Sequence, residues 1–473
     1  KNFFMRNINI DSKFTLLYKL ICIVFICTYF YSCKTTLRGS RPIVLEDKKI
    51  NKDSLSADVI FQMKDSWTAY KKFAWGRDEL KPLSQSFKDY YGESLLFTPL
   101  SAYTTLKLMK LDSEALECKE LILSQLSFDK DIDVNHAEIV HVVLGGLLSA
   151  YEMDGDEKFL RLATELGDKM LPVFKAPYGL VYRNINLKTG IGSGEICNPD
   201  EIAGLMLEYG VLSKLTEDPK YFNAAKSAAK TLYSKKSKLN LLGAAIDIRT
   251  GLWTNPETHI MEGMDIWYDD LYKSAVMFND AELMEMFNTS ISAVVKYLKE
   301  FTNMGTWYEL GNMAYGTQVH PEFSAQSCSF PILLANSGDI KEAENMMESV
   351  IKYWAEYGIA PEQMNYKTKQ VISASYLLRP QAIQSAAVLY RMTSKDRYLK
   401  AGDYMYSSMI KFCKNGTNGF AALRDVRTLE KMDQMDYYFY SSTLKYAFLL
   451  YNDEVANTLG QYIISTNGMM FRR

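Results

Sequence analysis

A short polar turn that carries an aspartate recurs along this chain at intervals of about 60 residues. In each copy an apolar helical segment precedes the turn and an amphipathic segment follows it. Asp is a natural N-cap, because its carboxylate accepts hydrogen bonds from the free amides of the next helix. An interval of this size holds two helices with their loops, so each turn predicts one helical hairpin. The turns lie at Asp112, Asp156, Asp218, Asp280, Asp339, Asp396 and Asp453.

These turns predict about seven hairpins, which could stack as an open solenoid or close into a ring. The repeats of open solenoids are shorter, roughly 20–50 residues, and their ends need polar capping repeats that this sequence does not show. A closed ring has no ends to cap. We therefore predict an all-α fold, a single (α/α)7 toroid, over residues 59–473.

The N-terminal segment has a different character from this predicted core. Lys13 and Lys19 precede the apolar run LICIVFICTYFYSC, which ends at Ser32 and Cys33. A transmembrane helix needs about 20 apolar residues, and this run is shorter. It therefore fits the hydrophobic region of a signal peptide better. Its ending, FYSC, resembles a bacterial lipobox, whose cysteine is lipidated after cleavage. We therefore expect residues 1–33 to be a lipoprotein-like signal peptide and the protein to be an exported cell-envelope lipoprotein.

A signal anchor is the alternative for the same segment. If Lys19 extends its ammonium group to the headgroups, the run could anchor a type II membrane protein of the secretory pathway. Residues 34–58 are polar and contain no aromatic residue, which is typical of a tether in either case. Contact with a membrane is therefore expected only through the N-terminal lipid or anchor.

The net charge and the spacing of the cysteines argue against two kinds of site: one that binds nucleic acid and one that binds zinc. The net charge is −2 and there is no basic cluster, so nucleic acid is not an expected partner. Beyond the N-terminal segment the cysteines are far apart and lack the CxxC spacing of zinc sites. The sequence therefore predicts free, buried thiols at Cys118, Cys197, Cys328 and Cys413.

Several segments are similar to those of a known family. WTAYKKFAWGRDELKPLSQSF (67–87), VLGGLLSAYEMDGDEKFL, INLKTG, GIAPE, LLRP and STLKYAFLLY occur in the family's order. They resemble segments of the class I α-1,2-mannosidases, glycoside hydrolase family 47. The resemblance implies an (α/α)7 barrel, inverting hydrolysis of α-1,2-linked mannose and a calcium ion at the barrel floor. The implied partner is a mannose-containing oligosaccharide or glycoprotein glycan.

The resemblance also implies roles for single residues. Glu138 takes the position of the catalytic acid, and Asp265 that of the catalytic aspartate. Thr466 matches a threonine whose hydroxyl and carbonyl oxygens both bind calcium. The residues that match pocket positions, where they would bind substrate, are Glu201, Glu362, Arg379 and Asp436.

The chain departs from the family at a position expected for the general base. Where the family has Arg-Pro-Glu, this chain has Arg379-Pro380-Gln381, and a second family glutamate is Gln384. Glutamine keeps the shape of glutamate but cannot accept a proton. An inverting glycosidase needs a protonated acid and a carboxylate base on opposite faces of the sugar. Two hypotheses follow: a weakly active α-mannosidase that uses Asp265 as its base, or an inactive family member that binds mannose-rich glycans.

The calcium site is expected to be weakened as well. Calcium prefers about 6–8 hard oxygens, and its affinity rises with the carboxylate charge around it. Thr466 can supply two oxygens, but glutamates of the family are replaced by Gln384, Asp436 and Asn467. We expect weak calcium binding, or a pocket that holds only water.

Simpler interpretations remain for some of these residues. His136 and His141 are separated by about 140° around a helix, so they cannot chelate a metal together with Glu138. Asp265 could equally cap a helix. For Glu208, which lies on the same helical face as Glu201, a buried salt bridge is an alternative to sugar contact.

Overall fold

A computed structural model of the protein describes Leu45 and residues 49–303 and 305–473. The segment 1–33, for which the sequence predicts a signal peptide or anchor, lies outside these residues. The helices are α1 (Lys52–Phe73), α2 (Phe97–Leu108), α3 (Asp112–Gln125), α4 (His136–Ile139), α5 (Gly145–Asp154), α6 (Glu157–Met170), α7 (Pro199–Ala203), α8 (Met206–Thr216), α9 (Lys220–Ser234), α10 (Asp265–Phe278), α11 (Ala281–Leu298), α12 (Phe330–Asn336), α13 (Ile340–Ala355), α14 (Gln381–Thr393), α15 (Asp396–Cys413), α16 (Leu444–Tyr451) and α17 (Asp453–Thr458).

Short strands connect the helices. They are β1 (Glu79–Lys81), β2 (Ser86–Lys88), β3 (Asp133–Asn135), β4 (Asn184–Asn186), β5 (Gly192–Ser193), β6 (Ile196–Cys197), β7 (Ala245–Asp247), β8 (Leu252–Asn255), β9 (Glu257–Thr258), β10 (Lys299–Thr302), β11 (Gly305–Tyr308), β12 (Leu310–Asn312), β13 (Gln318–His320), β14 (Glu322–Ser324), β15 (Gln363–Asn365), β16 (Val371–Ser373), β17 (Ala422–Asp425), β18 (Glu430–Met432), β19 (Tyr462–Ile464) and β20 (Met470–Arg472).

The helices pair into hairpins at the repeated turns. Consecutive helices form the pairs α2–α3, α5–α6, α8–α9, α10–α11, α12–α13 and α14–α15. In the remaining pair, α1 from the start of the fold packs along α16 from its end. The two ends of the folded chain thus meet. Helix α1 begins at Lys52, inside the segment 34–58 for which the sequence predicts a tether.

The two helices of a hairpin differ in burial because they occupy different layers. In α5, every residue from Gly145 to Ala150 is buried, so the helix has no solvent-facing side there. In α6 the buried residues Phe159, Ala163, Leu166 and Met170 follow the helical period and form one face. The first helices of the hairpins therefore build the interior, and the second helices cover it.

The inner helices form a closed ring. Each contacts the next in the order α2, α5, α8, α10, α12, α14 and α16. The π-helical turn Phe439–Thr443, which leads into α16, contacts α2 and completes the circle. The prediction of an all-α (α/α)7 toroid is confirmed.

The prediction of aspartate N-caps is only partly right. Four carboxylates accept an amide hydrogen bond from the next helix: those of Asp156, Asp218, Asp280 and Asp339. The prediction is wrong for the three that are themselves the first residue of a helix: Asp112, Asp396 and Asp453. There the carboxylate lies at the positive end of the helix dipole, which stabilises it without a capping bond.

The connections between hairpins are more regular than the sequence indicates. They contain small antiparallel sheets, including β3–β4–β5, β6–β7–β8, β13–β12–β9 and β14–β15–β16. In the last of these, Phe323 is paired with Met364. These sheets fix the backbone just before the inner helices begin, which is where the candidate site lies.

Two further observations concern the described residues. Their four cysteines are free and buried, as predicted, and burial raises the pKa of the Cys197 thiol to about 12. In the part of the chain that the structure describes, no helix combines the length and the apolar character needed to cross a membrane.

Candidate active site

Six of the eight predicted site residues line one cavity of about 260 Å³. They are Glu138, Glu201, Asp265, Arg379, Gln381 and Thr466. The other two lie directly behind this lining. Glu362 is hydrogen-bonded to Arg379, and Asp436 is hydrogen-bonded to Tyr438, which itself lines the cavity.

The fold brings these residues together through the first turns of its helices. Asp265 and Gln381 are the first residues of α10 and α14, Glu201 lies in the first turn of α7, and Glu138 lies in α4. Free amides at helix N-termini favour negative charge, so this end of the ring suits carboxylates and the oxygens of a sugar. Thr466 comes from the turn between β19 and β20.

Glu138 is held by its neighbours on two sides. The side chain of Asn135 caps the helix by accepting from the Glu138 amide at 2.9 Å. The hydroxyl of Tyr91 donates to the Glu138 carboxylate. Burial raises the pKa of Glu138, and the bond from Tyr91 only partly opposes this effect. A raised pKa favours the protonated form that a catalytic acid needs.

Glu201 is a satisfied carboxylate in the cavity wall. It forms a capping box with Asn198, accepting from the Asn198 amide at 3.0 Å. Arg183 Nε lies 2.7 Å from its other oxygen, and Asn135 Nδ2 donates to the same oxygen at 3.4 Å. These partners orient Glu201, and the bond from Asn135 links β3 to α7.

Asp265 is buried and lies beside a second buried carboxyl group, that of Asp200. Burial, and then the negative charge of Asp265, raises the pKa of Asp200. Burial raises the pKa of Asp265 to about 7, with a further contribution from the negative charge of Glu262. Asp265 therefore changes its protonation state near neutral pH.

Arg379 and Glu362 form a buried pair at the edge of the cavity. Arg379 Nε donates to Glu362 Oε2 at 3.0 Å, and the amide of Leu377 donates to the other carboxylate oxygen at 3.1 Å. The guanidinium also lies over the ring of Tyr438, 5.4 Å from its centroid. Burial opposes the charge of Arg379, but Tyr438 and Glu362 raise its pKa above the usual range. The guanidinium is thus a permanent cation in the wall.

Gln381 and Gln384 present buried amide oxygens on the same helix. Each has an Oε1 atom that is buried and has no hydrogen-bond partner among the described residues. Gln384 donates from Nε2 to the Tyr446 hydroxyl at 3.1 Å. Buried polar atoms are nearly always satisfied, so the unpaired oxygen of Gln381, which lines the cavity, points to a bound ligand or water.

Asp436 is a buried carboxylate that supports the wall from behind. It accepts from Tyr438 at 2.9 Å, from Gln434 at 2.8 Å and from Tyr90 at 3.2 Å. Burial raises its pKa. Its position fits a role in fixing Tyr438 better than one of direct contact with a ligand.

Comparison with known proteins decides the family. The sequence profile described as Glycosyl hydrolase family 47 matches residues 62–473. The chain belongs to glycosyl hydrolase family 47. Alpha-mannosidase I MNS5 of Arabidopsis thaliana is 32% identical over 449 residues, which cover 89% of this chain and 77% of that protein.

Two further comparisons extend this result. The endoplasmic reticulum mannosyl-oligosaccharide 1,2-alpha-mannosidase of Homo sapiens is 29% identical over 436 residues, covering 85% of this chain and 61% of that protein. The solved structure of the alpha-1,2-mannosidase from Trichoderma reesei has the same fold, with a TM-score of 0.81 and 20% identity. That match covers 89% of this chain and 99% of the solved one.

The surroundings of Thr466 allow a test of whether the calcium of family 47 would fit. The Thr466 hydroxyl donates to the carboxylate of Asp269, which is also paired with Lys273. Tyr446 links this region to Gln384, because it accepts from that amide and its own pKa is raised by burial and by the charge of Asp269. The donors are thus hard oxygens of the kind that calcium prefers, and they fit the ion.

The charge around Thr466 is low for a tight calcium site. Lys273 offsets the negative charge of Asp269, and Gln384 contributes only a neutral oxygen. Among the described residues, no group of three or more His, Cys, Asp or Glu side chains could hold a metal ion. A cation here would therefore depend mainly on hydroxyl, carbonyl and amide oxygens.

Several cavity residues were not predicted from the sequence. Asp200 lies in the Asn-Pro-Asp-Glu start of α7, where a capping box alone explains the pattern. Glu262 precedes α10, accepts from Gln326 at 2.7 Å and lies 3.8 Å from Arg379. Neither residue belongs to a recognised motif. Their positions follow from the packing of separate loops, for which the sequence holds no local signal.

Two predictions about histidine and glutamate can now be compared with the structure. His136 and His141 do not converge on one site: His136 contacts the Tyr209 hydroxyl at 2.8 Å, whereas His141 lines the cavity. His141 Nδ1 lies 3.4 Å from the buried carboxylate of Glu208. The alternative of a buried pair for Glu208 therefore describes its position better than sugar contact does.

Proposed function

We propose that this protein is an α-mannosidase of low turnover that removes terminal α-1,2-linked mannose from oligosaccharides or glycoprotein glycans. One observation carries the proposal: a single cavity contains the carboxyl groups of Glu138 and Asp265 together with the amide of Gln381. The substrate class follows from relatives whose names identify them as α-mannosidases.

Glu138 would act as the general acid. Burial raises its pKa, so a proton is available for the glycosidic oxygen as its bond to the anomeric carbon breaks. After this transfer the carboxylate is stabilised by the hydroxyl of Tyr91. The leaving sugar departs as a neutral alcohol.

Asp265 would act as the general base. Above about pH 7 it is ionised and can take a proton from a water molecule as the water oxygen bonds to the anomeric carbon. In an inverting enzyme the acid and the base lie on opposite faces of the sugar, about 6.5–9.5 Å apart, which leaves room for the water. Each turnover therefore consumes one water, after which exchange with solvent returns one proton to Glu138 and removes one proton from Asp265.

Gln381 would orient the substrate without taking a proton. Its unpaired oxygen can accept a hydrogen bond from a sugar hydroxyl or from the attacking water. Because a positioned base typically contributes about 10²–10⁴ in rate and the amide at position 381 cannot help Asp265 to take the proton, we expect low turnover. Arg379, fixed by Glu362, supplies a hydrogen-bond donor in the same cavity.

A calcium ion of low affinity belongs to this proposal. The residues that would hold it are Thr466, through its hydroxyl and carbonyl oxygens, and Asp269, with the amide oxygen of Gln384 in the surrounding layer. When bound, the ion would supply positive charge that polarises sugar hydroxyls.

A second function is favoured by the two amides: binding of mannose-rich glycan without hydrolysis. Gln381 and Gln384 preserve hydrogen-bonding groups while removing proton acceptors, which is the change expected in a pocket that keeps its ligand. Such binding would have a dissociation constant in the millimolar to micromolar range, about −4 to −8 kcal/mol.

One experiment separates the two functions. The native protein is incubated with a mannose-rich oligosaccharide, with and without a calcium chelator, and free mannose is measured. Glu138→Gln and Asp265→Asn are the matched variants, since each keeps the size of the side chain. Slow release that both variants abolish supports the enzyme. Binding by calorimetry without release in the native protein supports the alternative, and absence of both contradicts the proposed glycan site.

Export is the remaining part of the proposal. It is based on the apolar run before Cys33 and on a relative named as an endoplasmic reticulum enzyme. Mass spectrometry of the protein purified from its native cells tests it. A mature chain that begins with a lipidated Cys33 supports the lipoprotein form, and a chain that retains the run supports the anchor.

A further inference from the structure

His141 is a buried side chain that lines the cavity and has no role in the mechanism described above. It is the polar residue of the π-helical turn Val140–Leu144, in which all five residues are buried. π-helical turns are rare and occur frequently at functional sites. Glu138 lies three residues earlier, in α4, and also lines the cavity. The proposed acid and His141 thus reach the cavity from one continuous helical segment.

One ring nitrogen of His141 is held by Glu208 of α8. The Nδ1 atom lies 3.4 Å from Glu208 Oε1, and the Glu208 side chain is only 1% exposed. An ionised carboxylate offers only hydrogen-bond acceptors, so this contact places the hydrogen of a neutral imidazole on Nδ1. The other nitrogen, Nε2, is then an acceptor.

The Nε2 atom of His141 lacks a partner. It is buried and has no hydrogen-bond partner among the described residues. Buried polar atoms are nearly always satisfied, so an unpaired acceptor on a side chain that lines a cavity points to an occupant that supplies a donor. A sugar hydroxyl and a water molecule both have such a donor, and the experiment below separates them.

We propose that His141 is a substrate-binding residue whose Nε2 atom accepts a hydrogen bond from one hydroxyl of the terminal mannose. Glu208 is the positioning residue that holds the imidazole in the tautomer this bond requires. The inference rests on the proposed function and adds a contact within the same cavity. It also predicts specificity, because a sugar without the contacted hydroxyl would leave Nε2 buried and unpaired.

Calorimetry with methyl α-mannoside and its monodeoxy analogues, each lacking one hydroxyl, tests the contact. His141→Asn keeps a nitrogen for Glu208 near the position of Nδ1 but has no atom at the position of Nε2. In the native protein one analogue should bind about tenfold or more weakly than methyl α-mannoside, because Nε2 loses its partner. In His141→Asn the same analogue and methyl α-mannoside should bind equally.

Three further variants sharpen this comparison. His141→Gln keeps an amide oxygen that can reach the position of Nε2, so it should restore part of the discrimination. Glu208→Gln offers Nδ1 a donor as well as an acceptor, so it no longer fixes the tautomer and should reduce the discrimination. His320→Asn is the control, because it changes an exposed histidine on β13 and should bind every analogue as the native protein does. Thermal unfolding of each variant shows whether the fold is retained.

Nitrogen NMR of the native protein gives a readout that does not depend on a substitution at position 141. The chain has four histidines, so the imidazole signals are few, and His320→Asn identifies that of the exposed ring. Saturation with methyl α-mannoside should shift the Nε2 signal of one buried imidazole. If no buried imidazole signal shifts, or if His141→Asn discriminates among the analogues as the native protein does, Nε2 does not contact the sugar and the inference is overturned.

The same data distinguish this inference from the proposed function. If mannose is released but no analogue discriminates between the native protein and His141→Asn, hydrolysis stands and the role of His141 fails. If no mannose is released but the discrimination is present and lost in His141→Asn, the hydrolysis proposal fails while the contact stands. If the native protein binds none of the mannosides, both the glycan site and this inference are contradicted.

Discussion

Arg379 donates a hydrogen bond to Glu362 at 3.0 Å, and both side chains are largely shielded from solvent, with exposures of 19% and 11%. Arg379 lies two residues before α14, and Glu362 directly precedes β15. The pair thus connects these two segments and fixes one edge of the cavity. Each charge is compensated mainly by the other. Loss of one partner would leave a buried charge without its counterion.

The first prediction concerns this pair. Arg379→Met should lower the free energy of unfolding by about 3–5 kcal/mol, because Glu362 would remain buried without its counterion. The double variant Arg379→Met, Glu362→Gln should recover part of the loss. Urea unfolding followed by circular dichroism measures both effects.

Arg397 provides the matched control for Arg379. It pairs with Glu348 on an exposed surface, where its side chain is 52% accessible. Surface pairs contribute about 0–1 kcal/mol, so Arg397→Met should change stability little. Equal losses at the two positions would show that burial does not control the strength of the Arg379 pair.

The second prediction concerns the lost proton acceptor. Gln381→Glu restores a carboxylate in the cavity wall and should increase mannose release by about 10²-fold or more, since a positioned base typically contributes about 10²–10⁴. Gln384→Glu is the control, because it adds the same charge on the same helix beside Tyr446. If the two variants have equal rates, position 381 has no special relation to the reacting water.

The fold could be predicted from the sequence to a large extent because its signals are local. The aspartate turns and the helical period of residues such as Phe159 and Ala163 each depend on a few neighbouring positions. The sequence predicts a closed ring, but the pairing of α1 with α16 could not be predicted, because it depends on contacts between the two ends of the folded chain.

The residues of the candidate site were also only partly predictable from the sequence. Glu138 and Gln381 lie in motifs that resemble those of family 47, so their meeting in one cavity could be anticipated. Asp200 and Glu262 could not be identified, because their importance comes from partners on other elements. Likewise, nothing near Thr466 in the sequence indicates that its hydroxyl binds Asp269 or that Lys273 shares this carboxylate.

The third prediction concerns calcium. The double change Gln381→Glu and Gln384→Glu adds carboxylate charge near Thr466, so it should tighten calcium binding by about tenfold or more. Isothermal calorimetry with calcium alone measures the affinity. Adding Thr466→Val to the double variant removes a hydroxyl oxygen and should weaken binding again. A double variant that binds no better than the native protein would show that the pocket serves other chemistry.

The fourth prediction concerns a buried lysine on α16. Lys445 donates to Thr104 Oγ1 at 3.0 Å and to the carbonyl of Gly468, and burial lowers its pKa to about 7 from 10.5. Between these pH values the unfolded chain holds a proton that the native protein has released, so this group makes stability rise with pH. Lys445→Met should remove that rise, which urea unfolding between about pH 7 and pH 10 would detect. An unchanged pH slope would contradict the assignment.

The last prediction concerns the pH dependence of stability caused by Asp265. Its pKa is raised from 3.8 to about 7, first by burial and then by the charge of Glu262. Between these values the native protein retains a proton that the unfolded chain has released. The contribution of Asp265 to stability is therefore complete below the unfolded pKa and is lost as the pH rises toward 7. One proton corresponds to about 1.4 kcal/mol for each pH unit.

Asp265→Asn cannot titrate, so its unfolding free energy should fall less steeply than that of the native protein from about pH 5 to pH 7, and the two slopes should agree above about pH 8. Asp396→Asn is the control, because it replaces an exposed carboxyl group at the start of α15 and should leave the native slope unchanged. Urea unfolding at each pH measures all three proteins. If Asp265→Asn has the native slope throughout, Asp265 is ionised in the folded protein well below pH 7. Its acid–base behaviour would then have to be assigned to another carboxyl group of the cavity.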